Sequence, residues 1–408
     1  MTVVEFFDSN SIDNIISILL CAPKKIIFIG ANQTKMEKAV LGYKELAKKR
    51  GLTIEFSFRE IQRNNLINII DVLTDIAEKN ENCTFDLAGG EDLYLVAAGA
   101  VFGKYPHKIQ LHRFNIYGNM LSDCDCDGNV ITAKKINISV EENILIYGGK
   151  VIFEDEKQNA TYKWKWDAEF TKDVLNMWNI CKENAGKWNK QTNTLEGYNQ
   201  TEIAKQSLEI TLDRTKDKVL IDNKEQKAVY FVGMFHSLAE KRLIKDLKIS
   251  NDIISFRYKN SQIKKCLTTA GQVLELYVTH IASTAKDSNG THTYNDILTG
   301  AVLDWDGVLN EPNVENEIDV MLMKGLIPIF ISCKNGGFEI DELYKLNTVA
   351  ERFGGEYAKK VLIASDINKV KNSKYILARA EEMGIRIIGD ISKRSAGKIN
   401  KAIRSLGN

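Results

Sequence analysis

Two carboxylates and a lysine in the segment from 315 to 334 are spaced in a way that suits phosphate chemistry. The runs "EIDVMLM" and "IPIFISCK" alternate like β-strands, in which residues two apart share a face. Glu317 and Asp319 therefore share one face of the first strand, and Ser332 and Lys334 share one face of the second. Carboxylates hold hard divalent cations, which polarise a phosphate and lower the pKa of an attacking water. We predict that Asp319 binds such an ion, while Lys334 positions the water and stabilises the charge of the transition state.

The remaining ligands of this ion have to come from neighbouring groups, because Ser332 offers only an uncharged hydroxyl. The backbone carbonyl of Cys333 is one candidate, and the carboxylates of Glu275 and Glu317 are two others. Glu275 lies in a helix predicted over 262–283, between small residues that leave it room to face a cavity. We favour Glu275 over Glu317 and expect Mg²⁺ or Mn²⁺, since both suit a carboxylate site. The candidate catalytic residues are Lys334, Asp319, Glu275 and Ser332.

The elements that would position these residues follow from the same patterns. The strand "ILTGAVLD" comes first, and the helix "DELYKLNTVAERFGG", the strand "KKVLIAS", a helix near 373–383 and the strand "IRIIGDI" come after. A helix, an acid-bearing strand and a strand ending in residue-x-Lys resemble the core of PD-(D/E)xK nucleases over about 261–390. The resemblance implies a restriction-endonuclease-like α/β domain that cleaves nucleic acid with a metal ion. Ser332 departs from this family, because many members carry a second acid at that place.

The stretch "VLDWDGVL" supports a competing interpretation, since it resembles the aspartate-first loop of haloacid-dehalogenase phosphatases. Asp304 would be the nucleophile and Asp306 the acid two residues later. That chemistry also needs a downstream lysine and an acidic pair, but only Asp390 offers a late acid. A hairpin turn in which Gly307 and Pro312 reverse the chain explains the stretch better. The phosphatase stays an alternative with weaker support.

The N-terminal part alternates short apolar runs with helical patterns between 24 and 113, which predicts a parallel, doubly wound α/β sheet. Ligands of such sheets bind beyond the carboxyl ends of the strands. Two loops lie at such ends, "GANQT" from Gly30 to Thr34 and "DLAGGED", which contains Gly89 and Gly90. The glycines let backbone approach a ligand. Glu91 would contact ribose hydroxyls or base nitrogens, or would only favour the helix start.

The motif "DLAGGED" followed by a small-residue helix resembles the CRISPR-associated Rossmann-fold (CARF) sensor domain. Members of this family bind cyclic oligoadenylate across the two-fold axis of a homodimer. The resemblance implies a homodimer activated by a cyclic oligoadenylate, with cyclic tetra-adenylate as the expected ring. The run "NEIDVMLMKGLIPIFISCKNG" is close to the form found in CARF-linked nucleases of CRISPR defence. The implied ligand-binding residues are Gly30, Asn32, Gln33, Thr34, Gly89, Gly90 and Glu91.

The middle of the chain has four of the five tryptophans, at 164, 166, 178 and 188, among lysines and asparagines. Such tryptophans can stack on single-stranded bases, but more often they form the core of a small helical unit. A basic amphipathic helix and a strand between 235 and 259 resemble the latter part of a winged helix. Contacts to nucleic acid would come from Lys241, Arg242, Arg257 and Lys259. A ligand-responsive, duplex-binding transcription regulator is therefore the rival function, and Ser332 is its best argument.

The whole-chain composition excludes other classes of protein. At 408 residues the chain is long enough for at least two domains, and a formal net charge of +1 excludes a strong overall positive field. Seven scattered cysteines indicate reduced thiols in a cytoplasm, and the clustered Cys124 and Cys126 favour a polar turn over a metal site. The longest apolar run near the start, "IISILLCA", is too short to span a bilayer, so no membrane partner is expected.

These observations predict an α/β protein of three segments. Residues 1–160 form a Rossmann-like CARF sensor, 161–260 a helical and winged-helix-like connector, and 261–408 a restriction-endonuclease-like domain. The predicted function is cyclic-oligoadenylate-activated, metal-dependent cleavage of single-stranded DNA or RNA in type III CRISPR antiviral defence.

Overall fold

The computed structural model describes residues 1–124, 135–157, 160–221, 223–307, 314–370 and 372–405. The turn predicted around Cys126 and Pro312 of the predicted hairpin turn lie outside these residues. None of the helices formed by the described residues combines the length and apolar character that a membrane crossing requires.

The N-terminal segment is a six-stranded sheet with helices on both faces. Its elements are β1 (Thr2–Phe6), α1 (Ile16–Cys21), β2 (Lys25–Gly30), α2 (Gln33–Lys49), β3 (Glu55–Glu60), α3 (Leu66–Lys79), β4 (Cys83–Asp86), α4 (Asp92–Lys104), β5 (Ile109–Asn115) and β6 (Met120–Cys124). The strand order is β3-β2-β1-β4-β5-β6, and all neighbours except β5 and β6 are parallel. The predicted parallel sheet is confirmed. Its central strand β1 was missed, although this strand delivers residues to the crevice at the switch point between β2 and β4.

Two elements follow, α5 (Val140–Ile146) and β7 (Lys150–Ile152). The apolar stretch "NILIYGGKVIFED" is typical of short strands, but its first half belongs to the helix α5 and only its second half contains a strand. Ser139 and Glu142 form a capping box, in which each side chain accepts a hydrogen bond from the other residue's backbone amide. β7 pairs with a strand of the C-terminal sheet and not with the N-terminal one. The chain therefore contributes to the C-terminal domain long before residue 261.

The described residues of the connector form four helices, a hairpin and a small sheet. Its elements are α6 (Ala168–Glu183), α7 (Ala185–Gly197), α8 (Glu202–Gln206), β8 (Glu209–Asp213), β9 (Lys218–Ile221), β10 (Lys224–Lys227), α9 (Val232–Glu240), β11 (Ile244–Ile249) and β12 (Ile253–Tyr258). The sheet order β11-β12-β8, with α9 leading into β11, agrees with the predicted winged-helix character. Trp178 and Trp188 are buried in the core, as the structural interpretation of the tryptophans expects. Lys259 pairs with Glu169 and Asp173, so its charge is already bound within the connector.

The C-terminal segment is a mixed sheet with helices on both sides. Its elements are α10 (Ser261–Thr268), α11 (Gln272–Ser283), β13 (Asp296–Asp304), β14 (Glu315–Lys324), β15 (Ile327–Lys334), α12 (Asp341–Gly354), β16 (Lys359–Ala364), α13 (Ser373–Glu382), β17 (Ile385–Ile388) and α14 (Ala396–Arg404). The order is β17-β16-β15-β14-β13-β7, antiparallel from β7 to β15 and parallel from β15 to β17. β13 and β14 are antiparallel neighbours, as the hairpin interpretation of "VLDWDGVL" requires. The single helix predicted over 262–283 is broken at Gly271, whose φ of +89° is open to glycine but strained for other residues.

The three segments share hydrophobic cores. On one face of the C-terminal sheet, α6 of the connector packs against α11 and α7 packs against α10. The rings of Trp178 and Tyr277 stack with centroids 4.6 Å apart. On the other face, α12 and α5 pack together with α2 of the sensor. The connector and the sensor are thus packed directly on the domain that holds the candidate catalytic residues.

Candidate active site

The strands β14 and β15 separate at the point where the candidate site begins. Their ladder runs from Lys324↔Ile327 to Val320↔Ile331 and goes no further. Beyond it, the Asp319 carboxylate takes the place of the backbone partner. Its Oδ2 accepts hydrogen bonds from the backbone N–H of Cys333 at 2.5 Å and from Ser332 Oγ at 3.2 Å. The sequence predicted that these residues meet, and the structure brings them together.

Glu275 faces the same site from the first turn of α11. Its side chain is buried, and its Oε2 accepts a hydrogen bond from Gln272 Nε2 at 2.8 Å. Burial, with repulsion from Asp319 and Glu317, raises the pKa of Glu275 well above its usual value. Gly271 has no side chain to crowd the carboxylate, since a Cβ there would lie 3.6 Å from Glu275 Oε1. The break between α10 and α11 thus leaves room for an acid at this helix start.

Lys334 ends β15 and lies between two carboxylates. Its Nζ is 2.8 Å from Glu342 Oε2 on α12 and 4.0 Å from Asp319 Oδ2. Burial lowers the pKa of Lys334, but attraction to Asp319 and Glu342 outweighs it, so that the pKa is raised above its usual value. Lys334 therefore carries a full positive charge at neutral pH.

The acids of the site have the character of an ion-binding set. Burial is the main cause that raises the pKa of both Glu317 and Asp319, and repulsion from Asp319 adds to it at Glu317. Glu317 is the most exposed of the acids, and its Oε1 lies near Gly300 of β13, 3.7 Å from where a Cβ would stand. Within the described part of the chain, no three His, Cys, Asp or Glu side chains are arranged closely enough to hold a metal ion. The carboxylate oxygens of Glu275, Glu317 and Asp319 are nevertheless hard ligands that suit Mg²⁺ or Mn²⁺. A bound cation would relieve the repulsion among these three side chains.

Three polar neighbours of the site were missed by sequence reasoning. Glu342 pairs with Lys334, and Gln272 holds Glu275. Asn189 of α7 donates from Nδ2 to the backbone oxygen of Asn335, the residue after Lys334, and its Oδ1 accepts from Asn335 Nδ2 at 2.7 Å. No sequence pattern indicates these contacts, because packing determines which way a covering helix faces.

The sensor segment contains a separate cavity of 330 Å³ at the carboxyl ends of its strands. Three of the predicted ligand-binding residues, Gly30, Asn32 and Glu91, line it. The other lining residues are Phe7, Asp8, Ser9, Ala31, Lys35, Arg63 and Tyr94. Sequence reasoning missed four of these residues, Asp8, Ser9, Lys35 and Arg63. The end of a parallel strand before residue 8 could have indicated Asp8 and Ser9.

The glycine pair and Asn32 have local structural roles around this cavity. Gly90 has φ +99°, and a Cβ there would lie 2.6 Å from Phe6 Cβ, so the glycine pair allows β1 to approach. The amide of Gly90 donates to Asp8 Oδ2 at 3.0 Å. Asn32 caps α2 by accepting from the amide of Lys35. Gln33 and Thr34 are exposed on the first turn of α2 and do not line the cavity.

A charge pair closes one side of the cavity. Arg63, which precedes α3, lies 2.7 Å from Glu91 at the start of α4. Lys35 of α2 also lines the cavity. Two cationic side chains near the starts of two helices suit a ligand that carries phosphates.

A family model matches the part of the chain that contains this site. Residues 261–405 match the model of the Card1-like endonuclease domain. The Card1-like match covers α10 to α14 and includes every candidate catalytic residue. The predicted resemblance to a nuclease family is therefore confirmed for this part of the chain. Among curated proteins, none matches the chain significantly.

Solved structures extend the likeness to the whole chain. Protein VC1899 from Vibrio cholerae superposes with a TM-score of 0.74 at 19% identity, covering 99% of this chain and 97% of that one. Can2 from Sulfobacillus thermosulfidooxidans, solved in complex with cyclic tetra-adenylate, gives 0.65 at 15% identity, with 99% and 97% covered. A type III CRISPR defence DNA nuclease activated by cyclic oligoadenylate gives 0.51 at 12% identity, with 91% and 46% covered. The predicted fold class, an α/β chain with a Rossmann-like N-terminal domain and a restriction-endonuclease-like C-terminal domain, is confirmed.

Proposed function

We propose that this chain is a metal-dependent nuclease of type III CRISPR antiviral defence that is activated by a cyclic oligoadenylate. The observation that carries the proposal is the meeting of Glu275, Asp319 and Lys334 in one partly buried site, within a segment that matches the Card1-like endonuclease domain. Its place of action would be the cytoplasm, and its substrate single-stranded DNA or RNA.

The chemistry follows from the positions of these side chains. Asp319 and Glu275, with Glu317 at the open side and the backbone carbonyl of Cys333, would hold Mg²⁺ or Mn²⁺. When bound, the ion would polarise the scissile phosphate and acidify the attacking water. Lys334 holds its positive charge beside Asp319, where it orients the water and stabilises the charge that develops on the phosphate. Ser332 keeps the Asp319 carboxylate in place by donating to its Oδ2.

The cavity of the sensor segment supports a cyclic oligoadenylate as activator. Can2, which shares the fold over nearly the full length of both chains, was solved with cyclic tetra-adenylate. In this chain, Lys35 and Arg63 would contact phosphates, while Asn32 and Glu91 offer groups for ribose or base. A volume of 330 Å³ lies at the lower end of what holds one drug-sized molecule, so one protomer would enclose only part of a ring of four nucleotides.

An exposed apolar face on α4 supports a homodimer that completes this cavity. Val96 is 56% exposed and Leu95 36% exposed, and Ile67 of the adjoining α3 is 67% exposed. α4 begins directly after Glu91, so a partner packed on this face would stand next to the cavity. A second copy of the chain, related by a two-fold axis, would cover these side chains and bring a second cavity beside the first.

The decisive experiment measures cleavage of labelled single-stranded DNA and RNA with Mn²⁺, with and without cyclic tetra-adenylate. Wild type should cut only with the activator, and Lys334→Ala should lower the rate by about 10²–10³-fold, because it removes a charge that stabilises the transition state. Lys393→Ala is the matched control, since this exposed lysine contacts only Asp390 among the ion pairs described. It should cut like wild type.

Other results would separate the parts of the proposal. Cutting without any activator would retain the nuclease and refute the sensor. Absence of cutting in protein that binds the cyclic ligand and a specific DNA duplex would favour the transcription regulator. Hydrolysis of a small phosphate ester that Asp304→Asn abolishes would favour the phosphatase.

A further inference from the structure

Helix α12 touches the candidate active site at one end and the sensor at the other. Glu342 lies in its first turn, 2.8 Å from Lys334 Nζ. The helix runs 14 residues from Asp341 to Gly354, a length of about 20 Å at 1.5 Å per residue. A single 3₁₀ turn, Gly355–Tyr357, follows without a break. One rigid element thus spans the distance between the two sites.

The 3₁₀ turn contacts the loop that follows β1 in the sensor. Tyr357 donates from its hydroxyl to Asp13 Oδ1 at 3.3 Å. Gly355 lies so close to this loop that a Cβ would stand 2.3 Å from Asn10 Oδ1. Its φ of +54° is also a glycine conformation. No side chain can therefore separate the end of α12 from the loop.

The same loop forms one wall of the ligand cavity. Asp8 lines the cavity, and its Oδ1 accepts the backbone N–H of Asn10 at 2.8 Å. Its Oδ2 accepts the backbone N–H of Gly90 at 3.0 Å, on the second cavity loop. Asn10 in turn donates from Nδ2 to Asp13 Oδ2 at 2.9 Å. A change at Asp8 therefore reaches Asp13 through two hydrogen bonds within a six-residue stretch, and it reaches Tyr357 through a third.

Helix α5 supports the same end of α12 from a second side. Asn143 donates from Nδ2 to the backbone oxygen of Phe353 at 2.6 Å. Tyr147, just after α5, donates from its hydroxyl to Asn10 Oδ1 at 2.8 Å. α5, the loop after β1 and the end of α12 are thus joined by directed, mostly buried bonds, so they would move together.

At the active-site end, Lys334 lies between two possible partners. Glu342 holds it at 2.8 Å, while Asp319 is 4.0 Å away. Helix shifts of about 1–2 Å are common in switching proteins. A shift of that size along α12 is enough to exchange the two distances and to free Lys334 for the substrate.

We propose that α12 couples the ligand cavity to Lys334, with Glu342 as the positioning residue that holds the lysine. Ligand at Asp8 changes the loop from Asp8 to Asp13, Tyr357 passes the change to α12, and Glu342 moves relative to Lys334. This inference rests on the proposed function and names the route of its regulation. Coupling between two sites is a free-energy difference between two states, and it acts in both directions.

The test uses Tyr357→Phe, which removes one hydroxyl and keeps the ring that packs edge-on against Tyr117. We expect the ratio of cleavage rates with and without saturating cyclic tetra-adenylate to fall by about 5–150-fold, the usual range of allosteric coupling. The rate without activator should not change. Tyr344→Phe is the control on the same helix, since its hydroxyl accepts from Arg379 Nε at 3.3 Å and makes no hydrogen bond to the described residues of the N-terminal segment. It should keep the wild-type ratio.

A double variant tests whether Glu342 lies on the same route. If it does, Tyr357→Phe in a Glu342→Gln background should cause little further loss of the activation ratio. If the two losses multiply, the residues act independently and the inference is wrong. A wild-type ratio in Tyr357→Phe would also overturn it.

A binding measurement keeps the inference testable without catalysis. The affinity of cyclic tetra-adenylate is measured by calorimetry with and without a phosphorothioate DNA strand that resists cleavage. Because coupling is reciprocal, the DNA should change the affinity for cyclic tetra-adenylate in wild type and in Tyr344→Phe. The change in affinity should be much smaller in Tyr357→Phe. Equal changes in all three proteins would refute the route through α12. Absence of cleavage by wild type, with this pattern of binding intact, would refute only the proposed nuclease.

Discussion

Glu275 combines a role in the proposed chemistry with a cost to the folded state. Its carboxylate is buried and repelled by Asp319 and Glu317, which raises its pKa. Without bound metal, Glu275 either keeps its proton or remains as a buried charge, and both lower the stability of the folded state. Residues of active sites often sacrifice stability in this way.

Replacing this carboxylate should therefore affect stability and activity in opposite directions. Glu275→Gln keeps an acceptor for Gln272 and removes the charge, so we expect metal-free protein at pH 7.5 to gain on the order of 1 kcal/mol in free energy of unfolding. Cleavage with Mn²⁺ should fall by about 100-fold or more, as expected when a group that stabilises the transition state is lost. Urea unfolding and the cleavage assay measure the two effects. Glu381→Gln, an exposed replacement on α13, should change neither, and a less stable Glu275→Gln protein would contradict the argument.

Glu5 of β1 makes a pH-dependent contribution that has no part in catalysis. It is fully buried beside Asp86 of β4, and its carboxylate oxygens have no hydrogen-bond partner among the described residues. Burial, with repulsion from Asp86, raises the pKa of Glu5 far above its usual value, and burial raises the pKa of Asp86 to about 6. Glu5 therefore keeps its proton at neutral pH.

The sign of the pH effect follows from these shifts. Below about pH 4 the carboxyl of Glu5 is protonated in both states, so it has no effect on stability. As the pH rises, the unfolded chain loses the proton while the folded chain keeps it, and stability falls until the raised folded pKa is passed. Glu5→Gln should remove this loss, so its gain in unfolding free energy should grow from pH 4 to pH 7. Urea unfolding at several pH values checks this, and a constant difference between the two proteins would contradict it.

The residues of the site could be predicted most directly where a strand carries them. Alternation places Asp319 and Lys334 on their faces, and these two meet as expected. Glu342 and Arg63 were not predicted, because one lies on a helix and the other in a loop. In such segments the sequence does not show which way a side chain faces. Gln33 and Thr34 are exposed on the first turn of α2 and do not line the cavity, so their contact with the ligand stays a prediction.

At the scale of elements, the connector helices belong to the core around the candidate catalytic residues. Trp178 of α6 stacks on Tyr277 of α11, and Asn189 of α7 is bonded to Asn335 after β15. Strand β7, from before the connector, forms the edge of the C-terminal sheet. The predicted boundaries at 160 and 260 remain predictions, but these contacts cross both.

Fragments of the chain test this dependence. A fragment of residues 261–408 exposes the face of α11 that α6 covers and lacks β7, so we expect no cooperative unfolding transition. A fragment of residues 136–408 retains α5, β7 and the connector, and it should unfold cooperatively, although less stably than the full chain. Circular dichroism during urea titration distinguishes the two. Cooperative unfolding of the shorter fragment would show that the connector is dispensable.

The elements that prediction missed have identifiable physical reasons. The apolar residues of α5 form the short continuous run "ILIY", which is also typical of a buried strand. Only the capping box of Ser139 and Glu142 indicated a helix. β1 is five residues at the chain start, too short to show a period. The break at Gly271 depends on packing around α11, because a lone glycine is tolerated inside many helices.

At the scale of the whole molecule, the proposed homodimer depends on the apolar face of α4. Val96→Asp places a charge at its most exposed apolar residue, which should prevent burial against a second copy. We expect the variant to sediment as a monomer, to bind cyclic tetra-adenylate at least ten-fold more weakly and to lose activation. Ile203→Asp, at an 84% exposed position on α8, is the control and should leave the assembly unchanged. A dimeric Val96→Asp protein would show that another surface joins the copies.

The position of β7 has a consequence for the order of events during synthesis. Lys150–Ile152 leaves the ribosome 144 residues before its partner strand begins at Asp296 (296 minus 152). At about 5–20 residues per second, this is a wait of roughly 7–30 s. The sensor can fold in that time, whereas the sheet that holds Asp319 and Lys334 cannot close. The N-terminal segment, with the proposed activator site, would therefore be folded before the candidate active site forms.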